Sequence, residues 1–301
     1  MASNKNKKRT YSYWEWIGFL LVDLSLVLAF TIHYKHYYEI MVLGFALIMY
    51  ELDRRYLFFP QYIRLYIILL KAGLVGDLIL GIGLGLWHYN FVYLYEYLSV
   101  YLVVYPVAGI VMVQTYILLI KVMRRRKRVG KPLPLAFYKR CVSALGLCSV
   151  ITASLALMQL NYEVTIVVFY SSVALFALAL LSYISRIHNH DTLLEEIHNN
   201  PLKMLLILFL VTYFYAFVHE VSNGVAHEWV YSDFSYTHSH ILGIPLAVLP
   251  FWPLLVLLPV AAYYYAIPSK LTRPKMKQSS SRSTRRTFIA HMPRHALGKS
   301  A

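Results

Sequence analysis

Long apolar runs separated by short polar connections recur from residue 16 to residue 267. Runs of about 18 residues or more match the thickness of bilayer hydrocarbon. The pattern predicts about eight spans, roughly 16–32, 37–52, 65–87, 98–121, 140–160, 163–184, 202–220 and 241–267. Helices are expected because backbone groups in lipid pair within their own segment. The predicted fold class is all-α, a polytopic transmembrane helical bundle over 16–267. It is flanked by a basic N-terminal segment (1–15) and a basic, Ser-rich tail (268–301) that reads as disordered.

Composition agrees with this pattern: 59% of residues are hydrophobic and the mean hydropathy is +0.53. Charge then orients the spans. Lys and Arg collect in "NKNKKR", "DRR" (53–55), "KVMRRRKRVGK" (121–131), "YKR" (138–140) and the tail, whereas "HYNFVYLYEY" (88–97), "QLNYE" (159–163) and residues 218–246 carry none. Basic connections stay on the cytoplasmic side, so both termini are expected inside, in a prokaryotic-type cell membrane. The formal net charge of +15 lies where anionic lipid headgroups would meet it, which argues against a nucleic-acid partner. Cys141 and Cys148 lie two turns apart on one predicted helix, too far along the axis to bridge each other.

Two carboxylates interrupt the spans. Asp23 and Asp77 fall near the middle of the first and third, where an acid is costly unless protonated, paired or hydrated. Both are expected to face the bundle interior, either as a buried acid or cation site or as a structural hydrogen-bonded group. In "GDLILGIGLGL" (76–86), Gly81 and Gly85 would give a smooth helix face for a neighbour. The cytoplasmic "RIHNHDTLLEEIHNNP" (186–201) reads as a solvated amphipathic connector.

The chemistry concentrates at the opposite, outer level. "VHEVSNGVAHEWVYSDFSYTHSHILGIPL" (218–246) holds His219, Glu220, His227, Glu228, Asp233, His238 and His240 between very apolar stretches. Many of the 27 tyrosines lie at this level; an interfacial aromatic belt accounts for them but not for the acids. Imidazoles and carboxylates suit zinc or iron, yet the spacings match no metal motif and no bound metal is expected. Acid catalysis on an apolar substrate fits better. Burial keeps a carboxyl protonated, and aromatic faces attract the carbocation that forms when it protonates an alkene. Glu220, Glu228 and Asp233 are the candidate acids, with His219 as a proton relay. Trp229, Tyr231, Phe234 and Tyr236 would line the substrate's path, with Asp77 and Asp23 further along it.

"YSDFSYT" (231–237) resembles the aromatic-small-Asp-aromatic-x-Tyr-Thr signature of the integral-membrane carotenoid biosynthesis family that includes the bisanhydrobacterioruberin and related carotenoid hydratases. Glu220 late in a span, Gly224 after it and "GIPLAVLPFW" (243–252) follow the family's order, over about residues 217–255. Ser232 stands where the signature has glycine. The resemblance implies a multi-pass lyase that adds water across a terminal prenyl double bond of an isoprenoid lipid, without a redox cofactor. Two other classes stay open: an ion- or proton-coupled transporter or channel using Asp23 and Asp77, and a metal-dependent membrane hydrolase suggested by "THSHILG" (237–243). A membrane scaffold whose outer loop docks a partner is the non-catalytic reading.

Overall fold

The computed structural model describes residues 12–53, 59–83, 85, 87–123, 132–158, 162–231, 240–241, 244–245, 249 and 251–267. Ten α-helices occur among them: α1 (Tyr13–Ile32), α2 (Tyr37–Asp53), α3 (Phe59–Asp77), α4 (Leu94–Ser99), α5 (Tyr105–Met123), α6 (Leu135–Leu157), α7 (Tyr162–Ile187), α8 (Leu193–Asn199), α9 (Pro201–Ala226) and α10 (Trp252–Ala266). Six helical segments are long and apolar enough to cross a membrane: Tyr13–Ile32, Tyr62–Gly83, Leu94–Met123, Leu135–Ala156, Val167–Ile187 and Pro201–Ala226. The protein is thus a helical membrane protein by the length and composition of its helices. Of the two remaining predicted spans, α2 has 17 residues and α10 has 15.

Local chemistry sets the ends of these helices. Ser12 opens α1 with a capping box: its hydroxyl accepts from the Glu15 N–H at 3.1 Å and its own N–H donates to the Glu15 carboxylate at 2.8 Å. His33 ends α1 in the left-handed conformation. Pro201 starts α9, at the position where a missing N–H costs nothing.

The core is built mainly by α3, α5, α9 and α10, with Leu65, Leu69, Val111, Tyr116, Ile207, Val211, Tyr215, Val256 and Val260 buried together. Thr115 and Tyr215 share a 2.8 Å hydrogen bond across it. α1 packs on α2 and α9, while α6 packs on α7 and α7 on α10. At the α1–α2 crossing, a Cβ on Gly18 would fall 2.7 Å from the Gly44 carbonyl oxygen, and a Cβ on Gly44 2.7 Å from that of Gly18. Only glycine admits two backbones that close.

The structure departs from the sequence expectations in three places. Helix α3 does not continue smoothly past Asp77. It passes into a π-helical turn over Leu78–Gly83, and Gly85 follows with φ +61°, so Gly81 and Gly85 do not share a helix face. A second π-helical turn, Val100–Val104, joins α4 to α5. Short strands also punctuate the bundle. β1 (Trp87–Tyr89) pairs antiparallel with β2 (Trp229–Tyr231), and β3 (His240–Ile241) with β4 (Ile244–Pro245). Among the described residues of the expected span 241–267, the helix covers Trp252–Ala266. Finally, segment 186–201 is docked rather than solvated. Thr192 caps α8 and bonds Tyr138 at 2.8 Å, Glu195 lies 3.7 Å from the Arg186 guanidinium, and Leu193 is fully buried.

Candidate active site

Helix α9 ends in a turn that folds the following residues back over it. The His227 N–H donates to the Asn223 carbonyl at 2.8 Å, and His227 itself adopts the left-handed conformation. The Asn223 amide then grips Trp229 at both backbone groups, accepting from its N–H at 3.0 Å and donating to its carbonyl at 2.9 Å. This places strand β2 beside β1, with Trp87 opposite Tyr231 and Tyr89 opposite Trp229.

The turn brings Tyr231 onto Glu220. The Tyr231 hydroxyl donates to Glu220 Oε1 at 2.6 Å, and Trp252 Nε1 donates to the same oxygen at 3.0 Å. Trp229 Nε1 in turn donates to the Tyr231 hydroxyl at 3.0 Å. Burial, then the adjacent Glu220 charge, raises the Tyr231 hydroxyl well above its ordinary pKa, so it remains a donor across the neutral range. His219 sits beside this group, stacked between Tyr215 at 5.7 Å and Trp252 at 5.6 Å, with Tyr38 edge-on at 4.3 Å. Both its ring nitrogens are buried without a hydrogen-bond partner in the structure.

Glu228 has a different environment. Its side chain is buried, and neither carboxylate oxygen has a hydrogen-bond partner. Burial raises its pKa well above the carboxylate range, the nearby Glu39 charge adds to the effect, and the Tyr38 backbone N–H offsets part of it without reaching hydrogen-bond geometry. Burial and the Glu39 charge thus favour the protonated form of Glu228. Glu39 is itself tied to α4, through His36, which bridges Glu39 and Glu96 at 3.1 Å each, and through Ser99, which donates to Glu39 at 2.6 Å.

Asp77 forms the second half of the site. Trp87 Nε1 donates to its Oδ1 at 2.8 Å, Tyr105 donates to the same oxygen at 3.2 Å, and Tyr101 donates to Oδ2. The π-helical turns flank this group on both sides: one begins immediately after Asp77, and the other carries Tyr101. Such turns re-aim side chains that a regular helix would point elsewhere. Close approach is again made by glycine. A Cβ on Gly81 would meet Asp77 Oδ1 at 2.9 Å, and one on Gly73 would meet the Tyr105 ring at 2.7 Å. Asp77, Gly81, Trp87, Tyr89 and Tyr101 help to line a cavity of about 320 Å³. Tyr89 bonds Tyr105 through their hydroxyls. Burial, with lesser contributions from Asp77 and Glu228, keeps Tyr89 well above its ordinary pKa. Tyr89 thus lines the cavity while feeling both carboxyl groups.

Of the residues expected from sequence, Glu220, His219, Trp229 and Tyr231 come together. Glu228 lies close by against Tyr38, and Asp77 anchors the cavity. Asp23 does not face the interior: it lies on the exposed side of α1. Asp233, Phe234 and Tyr236 lie outside the described residues, as does His238. Sequence reasoning did not single out Trp87, Tyr101, Tyr105 or Trp252 as carboxylate donors. Tyr97, Tyr101 and Tyr105 do carry a signal, because residues four apart share a helix face. Among the described residues no group of His, Cys, Asp and Glu side chains is arranged to hold a metal ion.

The arrangement therefore offers one buried acid whose protonated form is favoured, two carboxyl groups held by aromatic donors, and an aromatic-walled cavity. These parts can donate a proton and stabilise a positive charge on an apolar molecule. Comparison with family models, curated proteins and solved structures finds no match to this chain.

Proposed function

We propose that this protein is a multi-pass membrane enzyme that hydrates a terminal prenyl double bond of an isoprenoid or carotenoid-like lipid. The observation that carries the reading is Asp77, a carboxylate held by three aromatic donors in the wall of an aromatic-lined cavity. Glu228, buried near Tyr89 and outside the lining of that cavity, is the proposed acid, which the prenyl end must reach. Its O–H bond breaks as the alkene π pair takes the proton to form a C–H bond, leaving a tertiary cation on the neighbouring carbon. The faces of Trp87, Tyr89 and Tyr101 and the Asp77 charge stabilise that cation. A water oxygen then forms the C–O bond and its proton returns to the Glu228 carboxylate, so no redox cofactor is consumed. Glu220 holds Tyr231 and Trp252 in place beside His219. The likeness of "YSDFSYT" to the carotenoid hydratases supports the substrate class, and the same reading keeps Asp233, with Phe234 and Tyr236, as a further acid and lining.

In this reading the chain crosses a cell membrane eight times, α2 and α10 included, with both termini cytoplasmic and the basic loops and tail against anionic headgroups. The test is expression in a host that makes an acyclic polyene with unsaturated prenyl ends. The parent is expected to yield a pigment heavier by one water, and Asp77→Asn or Glu228→Gln that still inserts is expected to lose it. Unchanged pigments from well-inserted parent protein would contradict the proposal.

A second reading, coupled cation transport, is favoured by one observation: the helices beside Asp77 are interrupted by π-turns, as in transporters whose broken helices expose a charge at mid-membrane. The exposed position of Asp23 separates it from any such route through the interior. Flux of an organic cation across vesicles, abolished by Asp77→Asn, would favour this reading over hydration.

A further inference from the structure

Asp23 and Lys71 are two ionisable residues in the middle of membrane-spanning segments, Tyr13–Ile32 and Tyr62–Gly83, and both are exposed. Each interrupts an otherwise apolar outer stripe at helical spacing. On α1 the stripe runs Leu20, Asp23, Val27, Phe30; on α3 it runs Ile67, Lys71, Leu74 and continues to Leu78 at the start of the π-turn. Neither residue forms a hydrogen bond or ion pair with any described residue. The two helices also have different neighbours: α1 packs on α2 and α9, and α3 on α5 and α10.

A charge at this depth is strongly disfavoured against hydrocarbon, and intramembrane ionisable residues pair or face water. Each lies about 13 Å from the nearer end of its span, further than an Asp or Lys side chain reaches toward the headgroups. The surrounding side chains are of the kind that packs against another helix or against lipid alike; the charges are what select the occupant. One face presents an acid and the other a base near the middle of its segment, with Arg64 two turns from Lys71 near the segment's start, and both belong to the same chain.

We infer that this protein self-associates in the membrane, with Asp23 on α1 of one copy paired to Lys71 on α3 of another. The pairing satisfies both charges with no second protein, and the apolar residues above and below supply the helix-to-helix contact. The stripes on α1 and α3 lie outside the cavity at Asp77, so the inference stands independently of the proposed chemistry.

The test uses the full chain reconstituted in lipid vesicles, with association read by cross-linking over a range of protein-to-lipid ratios and folding read by each variant's thermal transition. The parent is expected to associate. Asp23→Lys alone and Lys71→Asp alone are each expected to lower the linked fraction by about tenfold, the scale of a polar helix-to-helix contact in a membrane, with the thermal transition of the single chain retained. Mixing the two variants is expected to restore linking between them, since each then supplies the charge the other lacks. Asp23→Asn, which keeps the shape and removes the charge, is expected to weaken association without abolishing insertion. A parent that stays monomeric at every ratio would overturn the inference. So would reversals that link as well as the parent, a mixture that does not recover, or a different membrane protein found in fixed proportion on the α1 face.

Discussion

Three buried carboxyl groups in one region occupy three different settings, and the settings assign them different work. Asp77 accepts from three aromatic donors and Glu220 from two, whereas Glu228 accepts from none. Burial without hydrogen bonds favours the protonated form of a carboxyl group. Glu228 therefore holds in the folded state a proton that the unfolded chain releases above about pH 4.3. The sign follows: its contribution to stability is fully present below that value and is lost as pH rises toward the raised folded value. Glu228→Gln is expected to flatten the fall in thermal stability between those limits, a fall of up to about 1.4 kcal/mol per pH unit, and to abolish turnover at every pH. A variant whose stability keeps the parent's pH slope would show that Glu228 is already ionised. The acids themselves were legible in the sequence, because a charged residue inside or beside an apolar run stands out. Their donors were not. With aromatic residues at 16% of the chain, Trp87 and Trp252 look no different from belt residues until the fold brings them to a carboxylate. Asp23 was assigned to the wrong side for a related reason. α1 is apolar nearly all round, so no periodicity marks which face turns inward.

At the scale of elements, the site depends on irregularities rather than on the long helices. The π-turns after Asp77 and before Tyr105, the Asn223 grip on Trp229 and the three-residue ladder between β1 and β2 aim the side chains. None of these has a strong sequence signature. Strands of three residues are too short for alternation to register, and a π-turn needs only one extra residue per turn. The helices themselves were legible from hydropathy, since lipid leaves few other ways to satisfy a backbone. Close packing was legible only where glycine demands it. Gly44→Leu is expected to force α1 from α2, because backbone lies 2.7 Å from the new Cβ. Overpacking of this kind typically costs about 1–3 kcal/mol or more, measurable as a lower thermal transition in detergent. Gly76→Leu, whose Cβ meets nothing within 4 Å, is the control expected to leave the transition near the parent's. Equal behaviour of the two variants would contradict the close crossing.

For the whole molecule, six helical segments long and apolar enough to cross a membrane pack with α2 and the shorter apolar α10, and polar side chains cluster at one end of the bundle. That end joins β1, β2, the start of α2 and the end of α9 into one aromatic and acidic cluster, and its cavity opens beside Asp77. Among the described titratable residues of 218–246, His219, Glu220 and Glu228 are buried at this end, whereas His227 is exposed. The most direct measurement of the proposed chemistry is turnover by purified protein in lipid nanodiscs, given an acyclic polyene in water enriched in heavy oxygen and deuterium. Acid-catalysed hydration predicts a product carrying one solvent oxygen and one solvent-derived carbon-bound hydrogen, absent with Glu228→Gln. No product from folded protein, or a product whose new oxygen comes from dissolved oxygen gas, would contradict it.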